Sequence, residues 1–157
     1  MLYAAVDLGG SSGRVTVGQL KDEKILLTEV HRFKHEPIQT KDGLFWDWQF
    51  LVEQVITGLK AATKLGRIHS VGIDSWAVDY GLIDKSGAVI SQPYCYRDAR
   101  TDGVMAKLKE ELGVDYIYSK TGIQFIFFNT MYQLFIEKES TAYKNADKFL
   151  MVPDLLN

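Results

Sequence analysis

A turn rich in glycine and serine near the amino terminus is the segment best suited to bind phosphate. It contains Gly10, Ser11, Ser12, Gly13 and Arg14. Backbone amides of such a turn form an anion-binding concavity, and the serine hydroxyls and the arginine add donors and positive charge. No Gly-Lys-Ser/Thr follows, so the turn is not a Walker A loop. A serine replaces the second glycine of the dinucleotide fingerprint, and a strand pattern follows instead of a helix. The alternative is an ordinary hairpin whose glycines supply positive φ angles.

Asp7 stands directly before this turn. A carboxylate beside a bound phosphate repels it unless a cation lies between the two. Mg²⁺ is suited to this position, because it keeps much of its water and binds phosphate oxygens readily. We therefore predict that Asp7 acts in catalysis and contacts the metal indirectly, through water. The alternative is a carboxylate that is merely solvated.

A second polar loop, at residues 74–79, follows a short predicted strand. Ligands of open α/β sheets bind at the carboxyl ends of such strands. Trp76 offers an apolar wall, the small Ala77 leaves room against the backbone, and Asp79 can accept hydrogen bonds from sugar hydroxyls. The loop therefore predicts a small polar substrate, although a tryptophan considered alone is more often a core residue.

The first half of the chain predicts a sheet that positions both loops. A short apolar run indicates a strand at 3–8, period-two alternation a second at 14–20, and a stretch rich in apolar residues a third at 25–33, and we expect the three to be antiparallel. Asp47 predicts the N-cap of a long helix that ends before Gly66. A strand at 70–74 follows that helix, and such a crossover implies parallel pairing.

Hairpin and helix patterns fill the second half. We predict a hairpin at 78–83 and 88–90, a helix closed by Gly113, a helix from residue 130 and a strand at 148–152. Thr101 or Asp102 is the expected cap of the first helix. Residues 130–133 have the form of a capping box, and Leu134 and Phe135 are expected to be buried. The sum is an α/β fold with a mixed sheet, antiparallel strands first and parallel strands later, and flanking helices.

Composition restricts the classes of function. The 157 residues are 46% hydrophobic and 24% charged, and the net charge of −2 gives no basic surface for nucleic acid or an anionic membrane. No apolar run reaches the ~20 residues of a membrane span, and the amino terminus lacks the basic segment of a secretory signal. The single cysteine, Cys95, fits a reducing compartment. We expect a cytoplasmic protein; its oligomeric state is left open.

In the order and spacing of their motifs, several segments together resemble the FGGY carbohydrate kinases, most closely the members that phosphorylate L-rhamnulose. The matching segments are residues 6–15, 31–33, 72–80, 93–103, 121–125, 128–134 and 150–154. The resemblance runs the length of the chain. Two positions depart from the usual pattern, since Ala77 stands where glycine is common and Gly10 stands where alanine is common.

The resemblance implies a ribonuclease H-like, actin-type fold in two domains, and transfer of the γ-phosphate of ATP to the 1-hydroxyl of L-rhamnulose with Mg²⁺. By position, residues 10–14 match the turn that contacts ATP, Asp7 matches the acidic residue near the metal-bound phosphate, and Ala77 matches a sugar-contacting position. From the residues themselves, Gln124 and Asn129 are further candidates for polar sugar contacts. The expected partners are thus a small sugar and ATP.

One part of the chemistry is missing from the sequence. No general base follows the second loop, and in the family this aspartate lies farther along. The last residues, 151–157, have the pattern of an element just beginning. We therefore expect the chain to be a truncated amino-terminal kinase domain without the second domain, and inactive alone.

Other classes of function stay open. A kinase for another ketose or a polyol is the nearest alternative. A second is a metal-dependent nuclease of ribonuclease H-like fold, in which Asp7 and Asp74 would form a carboxylate pair for two metals. A third is a sugar- or phosphate-binding module without catalysis.

Overall fold

The computed structural model describes all 157 residues, which form two compact units. Unit 1 comprises residues 1–38, 46–77 and 150–157, and unit 2 comprises residues 39–45 and 78–149. The strands are β1 (Leu2–Leu8), β2 (Ser12–Lys21), β3 (Lys24–Lys34), β4 (Ile38–Thr40), β5 (Gly43–Phe45), β6 (Ile68–Ser75), β7 (Tyr80–Ile83) and β8 (Lys148–Met151). The helices are α1 (Trp48–Thr63), α2 (Val104–Leu112), α3 (Val114–Thr121), α4 (Thr130–Glu137), α5 (Thr141–Asn145) and α6 (Val152–Leu156), with a 3₁₀ turn at Ala99–Thr101.

Unit 1 is built on a four-stranded mixed sheet in the order β3-β2-β1-β6. β1 pairs antiparallel with β2 and β2 antiparallel with β3, whereas β6 lies parallel to β1. The three antiparallel strands and the later parallel strand are therefore as predicted. The parallel pairing follows from α1, which carries the chain across the sheet between β3 and β6.

Helix α1 packs closely on one face of this sheet. Its first turn is capped by Asp47, whose carboxylate accepts a hydrogen bond from the Phe50 amide at 3.1 Å, as predicted. Its side of the sheet presents buried Val15, and Gly58 of the helix faces that residue. A Cβ atom on Gly58 would lie 2.3 Å from a methyl group of Val15. The absence of a side chain there allows the helix to approach the sheet.

The pairing of β2 with β3 contains a β-bulge. Val15 is opposite His31, but Thr16 is opposite Glu29, so Val30 is an extra residue in β3. Val30 packs against the apolar cluster that includes buried Val17. The bulge changes which residues of β3 share a face of the sheet.

Unit 2 is mainly helical around a small apolar core of Val104, Leu108, Ile117 and Tyr132. It also holds the hairpin that starts in β7, whose second arm is not a strand but a single bridge from Ile83 to Val89. The helix closed by Gly113 is present as predicted. Helices α3 and α5 and the short strands β4 and β5 were not predicted, whereas α6 lies where the sequence indicated an element just beginning.

Two of the predicted helix starts were wrong. Gly103, with a left-handed φ of 78°, is the N-cap of α2, and Thr101 lies in the 3₁₀ turn before it. The predicted capping box fails because α4 begins at Thr130, which therefore stands one position too far into the helix to cap it. Its hydroxyl donates to the carbonyl of Val78 instead.

The buried face of α4 is more polar than the apolar pattern indicated. Leu134 and Phe135 are only half-buried, whereas Tyr132, Gln133 and Glu137 are buried. The strand predicted at 148–152 is present as β8. None of the helices is both long and apolar enough to cross a membrane.

Candidate functional site

The glycine-serine turn lies between β1 and β2 and is held by the backbone and by one histidine. The Gly9 amide donates to the Ser12 carbonyl at 2.8 Å. His35, which is buried, donates its ring Nε2–H to the Gly9 carbonyl at 2.8 Å and its backbone amide to the Ser11 carbonyl at 3.1 Å. His35 was not among the predicted site residues, because a histidine 26 residues beyond Gly9 gives no local signal of this contact.

The glycines of the turn are not needed for positive φ angles. Neither Gly9 nor Gly13 has a left-handed backbone, so the turn joins β1 and β2 as a hairpin without the positive φ angles that the hairpin alternative expected. Glycine is needed at position 13 for a different reason, which is that this buried position leaves no room for a side chain. A Cβ atom there would lie 2.3 Å from the Phe33 ring and 2.7 Å from Leu8. The turn therefore depends on close packing beneath it.

A row of charged side chains crosses the sheet beside the turn. Asp7, Arg14 and Arg32 occupy paired positions on β1, β2 and β3, and we call these three residues the charged row. Arg14 binds the Asp7 carboxylate through Nε at 2.8 Å and Nη2 at 2.6 Å. Both side chains are 49% exposed, so a ligand in solution can reach either of them.

The charged row and the turn enclose an open depression of about 180 Å³. Its lining consists of Asp7, Gly9, Ser12, Gly13, Arg14 and Arg32. The structure thus brings together Asp7, Ser12, Gly13 and Arg14 from the predicted set and adds Gly9 and Arg32. Gly10 and Ser11 belong to the same turn but do not line the depression. Its donors and cations suit a phosphate group.

The residues that line the depression could hold Mg²⁺ only with help from other ligands. No group of three or more histidine, cysteine or acidic residues is placed to hold a metal. The depression offers one half-exposed carboxylate, that of Asp7, beside a cationic wall. This fits a Mg²⁺ ion whose other ligands are phosphate oxygens and water, and it does not fit an all-protein metal cage.

Asp74 is the Cα partner of Asp7 on the parallel strand β6. The two carboxylates of the nuclease alternative are therefore neighbours in register. The Asp7 carboxylate is engaged by Arg14, however, and no third metal-binding side chain joins the pair.

Trp76 belongs to an aromatic cluster in unit 1. Its ring lies 4.3 Å from that of buried Trp46 and 5.7 Å from that of His35, measured between centroids. Trp76 is itself half-buried, and the adjacent Ala77 is exposed. His35 thus contacts both the glycine-serine turn and Trp76, so these two segments of unit 1 share one supporting side chain.

Asp79, predicted as a sugar contact, is fully buried in unit 2. One carboxylate oxygen accepts from the Gln133 amide at 2.9 Å and the other from the Tyr96 backbone amide at 3.1 Å. Because both oxygens are engaged and none of the residue is exposed, a ligand cannot reach this carboxylate in this structure. The geometry gives Asp79 a structural role.

Asp79 is part of a larger buried polar cluster formed with Arg100, Gln133 and Glu137. Arg100 pairs with the Glu137 carboxylate and donates to the Gln133 side-chain oxygen at 2.9 Å. The guanidinium also lies 3.6 Å from the centre of the Tyr94 ring. Sequence reasoning missed Gln133 and Glu137, because a polar residue on a helix is ordinarily solvated.

The segment entering this cluster has a strained backbone. Val78 has a φ of 73°, which is costly for a β-branched residue. Its carbonyl accepts from the hydroxyl of Thr130 at 2.9 Å and from the amide of Gln133 at 3.3 Å. These two donors on α4 hold the strained residue in place.

The other predicted sugar contacts lie in the loop before α4. The Asn129 side-chain amide donates to the Gln124 carbonyl at 2.8 Å, so the structure brings the two together. Gln124 is exposed and Asn129 is half-exposed. The Gln124 side chain is therefore accessible to a ligand, whereas the Asn129 amide already holds the loop.

Cys95 is buried in unit 2, with 1% of its surface exposed. Burial raises the pKa of its thiol to about 11, and its backbone amide donates to the Leu44 carbonyl at 2.9 Å. A thiol in this environment is unreactive.

Comparison with known proteins assigns the class. The sequence matches the FGGY family of carbohydrate kinases, N-terminal domain, over residues 2–157. The chain therefore belongs to the FGGY family of carbohydrate kinases.

Two curated relatives show which members of the family the chain is similar to. The chain is 48% identical over 159 residues to a rhamnulokinase of Mannheimia succiniciproducens, covering 98% of this chain and 33% of the relative. It is 45% identical over 157 residues to a rhamnulokinase of Bacillus subtilis, covering 99% of this chain and 32% of the relative. The chain thus spans about a third of the length of the curated relatives it matches.

Solved structures confirm the fold. A xylulose kinase from Rhodospirillum rubrum superposes with a TM-score of 0.81 at 15% identity, over all of this chain and 33% of that one. A gluconate kinase from Lactobacillus acidophilus gives 0.80 at 17% identity, over 95% and 31%. The predicted ribonuclease H-like, actin-type fold with a mixed sheet is therefore correct.

Proposed function

We propose that this chain is the amino-terminal part of a longer kinase that transfers the γ-phosphoryl group of ATP to the 1-hydroxyl of L-rhamnulose. The observation that carries the proposal is the 45–48% identity, over nearly the whole chain, to proteins named rhamnulokinase. The depression at the turn, which is lined by two arginines and a serine, supports it, since a kinase needs cationic and hydrogen-bonding groups beside the phosphates. The enzyme would work in the cytoplasm.

Each part of the chain has a role in this proposal. The turn at residues 10–14 would hold the phosphates of ATP, and Asp7 would orient the water shell of Mg²⁺, which neutralises charge on the transferred group. Trp76 and Ala77 of unit 1 would contact the sugar, and in unit 2 the exposed side chain of Gln124 is a separate candidate for a polar contact. Asp79 would act by fixing the loop that follows Ala77. The general base would come from a later aspartate.

Phosphoryl transfer demands mainly positioning and electrostatics from the protein. In this chain the positioning comes from buried groups, with His35 beneath the phosphate turn and Gln133 beneath the loop at Val78. The electrostatic contribution comes from the exposed charges of Asp7 and Arg14. The nuclease alternative has no support from the comparisons, whereas a kinase for another ketose or a polyol remains the alternative to be tested.

The test is an assay of ADP release by the longer protein with L-rhamnulose, D-xylulose and glycerol. We expect L-rhamnulose to give the highest kcat/KM, at turnover rates of about 1–100 s⁻¹. The 157-residue chain alone should give no turnover, since the proposed base is a later aspartate of the longer protein. A preference for D-xylulose or glycerol would replace the proposed substrate.

Asp7→Asn in the longer protein tests the assigned role of the carboxylate. We expect kcat to fall by about 100-fold or more with little change in the KM for the sugar, because the interaction is made with the metal and the transferring phosphate. The matched control is Asp154→Asn, which removes an acid of α6. An effect of Asp7→Asn on the sugar KM alone would contradict the assignment.

A further inference from the structure

We propose that Arg32 is a second phosphate-binding cation of the depression, and that Glu29 holds it aside while no phosphate is bound. The inference rests on the proposed function, since it concerns the same phosphate site. Arg32 belongs to a short segment that carries the family resemblance, residues 31–33, but the predicted site did not include it. The structure places it in the lining of the depression beside Arg14 and Ser12.

Arg14 and Arg32 are directly opposite each other on neighbouring strands. Like charges at such positions repel, and a sheet normally avoids them. Each arginine is compensated by its own acid, Arg14 by Asp7 and Arg32 by Glu29. Two adjacent cations beside a concave turn form a site that an anion with several negative charges would occupy with a gain from both of them.

The bulge at Val30 creates the pair between Glu29 and Arg32. In a regular strand, residues three apart point to opposite faces. Here Glu29 is opposite Thr16 and Arg32 is opposite Arg14, and both partners lie on the same face of β2. The extra residue therefore brings Glu29 to the side of Arg32, and the guanidinium binds both oxygens of that carboxylate.

This pair is exposed, so the arginine can be released at low cost. The side chains of Arg32 and Glu29 are 53% and 40% exposed, and exposed ion pairs contribute little to stability. A bound polyphosphate offers Arg32 more negative charge than a single carboxylate does. We infer that Arg32 exchanges Glu29 for phosphate oxygens when ATP binds.

The experiment measures binding of a non-hydrolysable ATP analogue with Mg²⁺, and of inorganic tripolyphosphate, to the longer protein by isothermal titration calorimetry. Arg32→Gln should weaken both by roughly tenfold, because it removes a charge-assisted hydrogen bond. Arg32→Lys should recover part of the loss. Glu29→Gln should tighten binding several-fold, since Arg32 is then free. Lys24→Gln, at the other end of β3, is the control for loss of a surface cation and should change nothing.

The opposite signs separate this role from a structural one. If Arg32 only stabilised the strand, Arg32→Gln and Glu29→Gln would both weaken binding or both leave it unchanged, and the inference would be overturned. Equal binding by Arg32→Gln and the wild type would also overturn it. Tripolyphosphate binding that follows the expected pattern, without any sugar turnover, would uphold Arg32 and refute the proposed function. A wild-type protein that binds neither ligand refutes both.

Discussion

The charged row of unit 1 and the buried polar cluster of unit 2 each contain an arginine paired with a carboxylate, but the two pairs differ in exposure. Asp7 and Arg14 are half-exposed, whereas Glu137 and Arg100 are 6% and 13% exposed. Water and salt weaken the first pair, so it contributes little to stability and can exchange partners. The second pair is shielded, so neither partner can be lost without leaving an uncompensated buried charge.

The difference in exposure corresponds to a difference in proposed role, with ligand binding at the charged row and support of the backbone at the buried polar cluster. The groups that would meet ATP are accessible and loosely paired, while the groups that hold the backbone at Val78 and Asp79 are buried and fully engaged. Gln133 illustrates the second case, because its amide donates to Asp79, Val78 and Phe128. Mutations in the two regions should therefore differ in which property they change.

The largest expected effect is on stability, from Glu137→Ala. Removing this carboxylate leaves Arg100 buried without its main partner, and we expect a loss of about 3–5 kcal/mol in the free energy of unfolding. The measurement is urea unfolding of the 157-residue chain. Glu139→Ala, which removes an exposed acid two residues later, is the control and should cost under about 0.5 kcal/mol. Similar losses for both variants would show that the cluster is no more important than the surface.

Gly13→Ala tests whether packing, and not charge, is the structural requirement at the glycine-serine turn. The new methyl group would overlap the Phe33 ring and Leu8, and such overpacking costs about 1–3 kcal/mol. Gly72→Ala is the matched control in the same sheet, because no atom lies within 4 Å of its Cβ position. The comparison is made by urea unfolding, and equal stability of the two variants would contradict the close packing seen beneath the turn.

The smallest expected effect on stability comes from Asp7→Asn. Breaking an exposed pair should change the free energy of unfolding by only about 0–1 kcal/mol, and by less at high salt. The same variant is expected to lose most of its kcat in the longer protein. A loss of stability as large as that of Glu137→Ala would mean that the charged row supports the fold, and the distinction between the two regions would fail.

The fold was predictable where one face of an element is apolar. The apolar run of β1, the alternation in β2, the Asp47 cap and the crossover through α1 all follow from local patterns, and the structure agrees with them. The prediction failed at α4, where Thr130 and Gln133 have the spacing of a capping box. Their side chains instead bind Val78 and Asp79, more than 50 residues earlier in the chain.

Only part of the candidate site was predictable from the sequence. The turn and Asp7 are contiguous in sequence, so their types and spacing were sufficient to select them. The positions of His35 and Arg32 depend on the pairing of β3 with β2. This pairing includes the β-bulge at Val30, which no local sequence pattern predicts. Burial of Asp79 likewise depends on a distant helix, which is why an acidic residue in a polar loop suggested a ligand contact.

The labelling rate of the single thiol of the chain, that of Cys95, reports local opening of unit 2. Only the thiolate attacks a disulfide reagent, and with a pKa of about 11 roughly a thousandth of Cys95 is ionised at pH 8. The thiol is also covered, so labelling must pass through rare openings that expose it and let it ionise normally. Because no other cysteine competes, the rate at which reagent is consumed is proportional to the fraction of molecules in which Cys95 is exposed. Any ligand or mutation that stabilises unit 2 would therefore slow the labelling of Cys95, and the measurement needs no engineered probe.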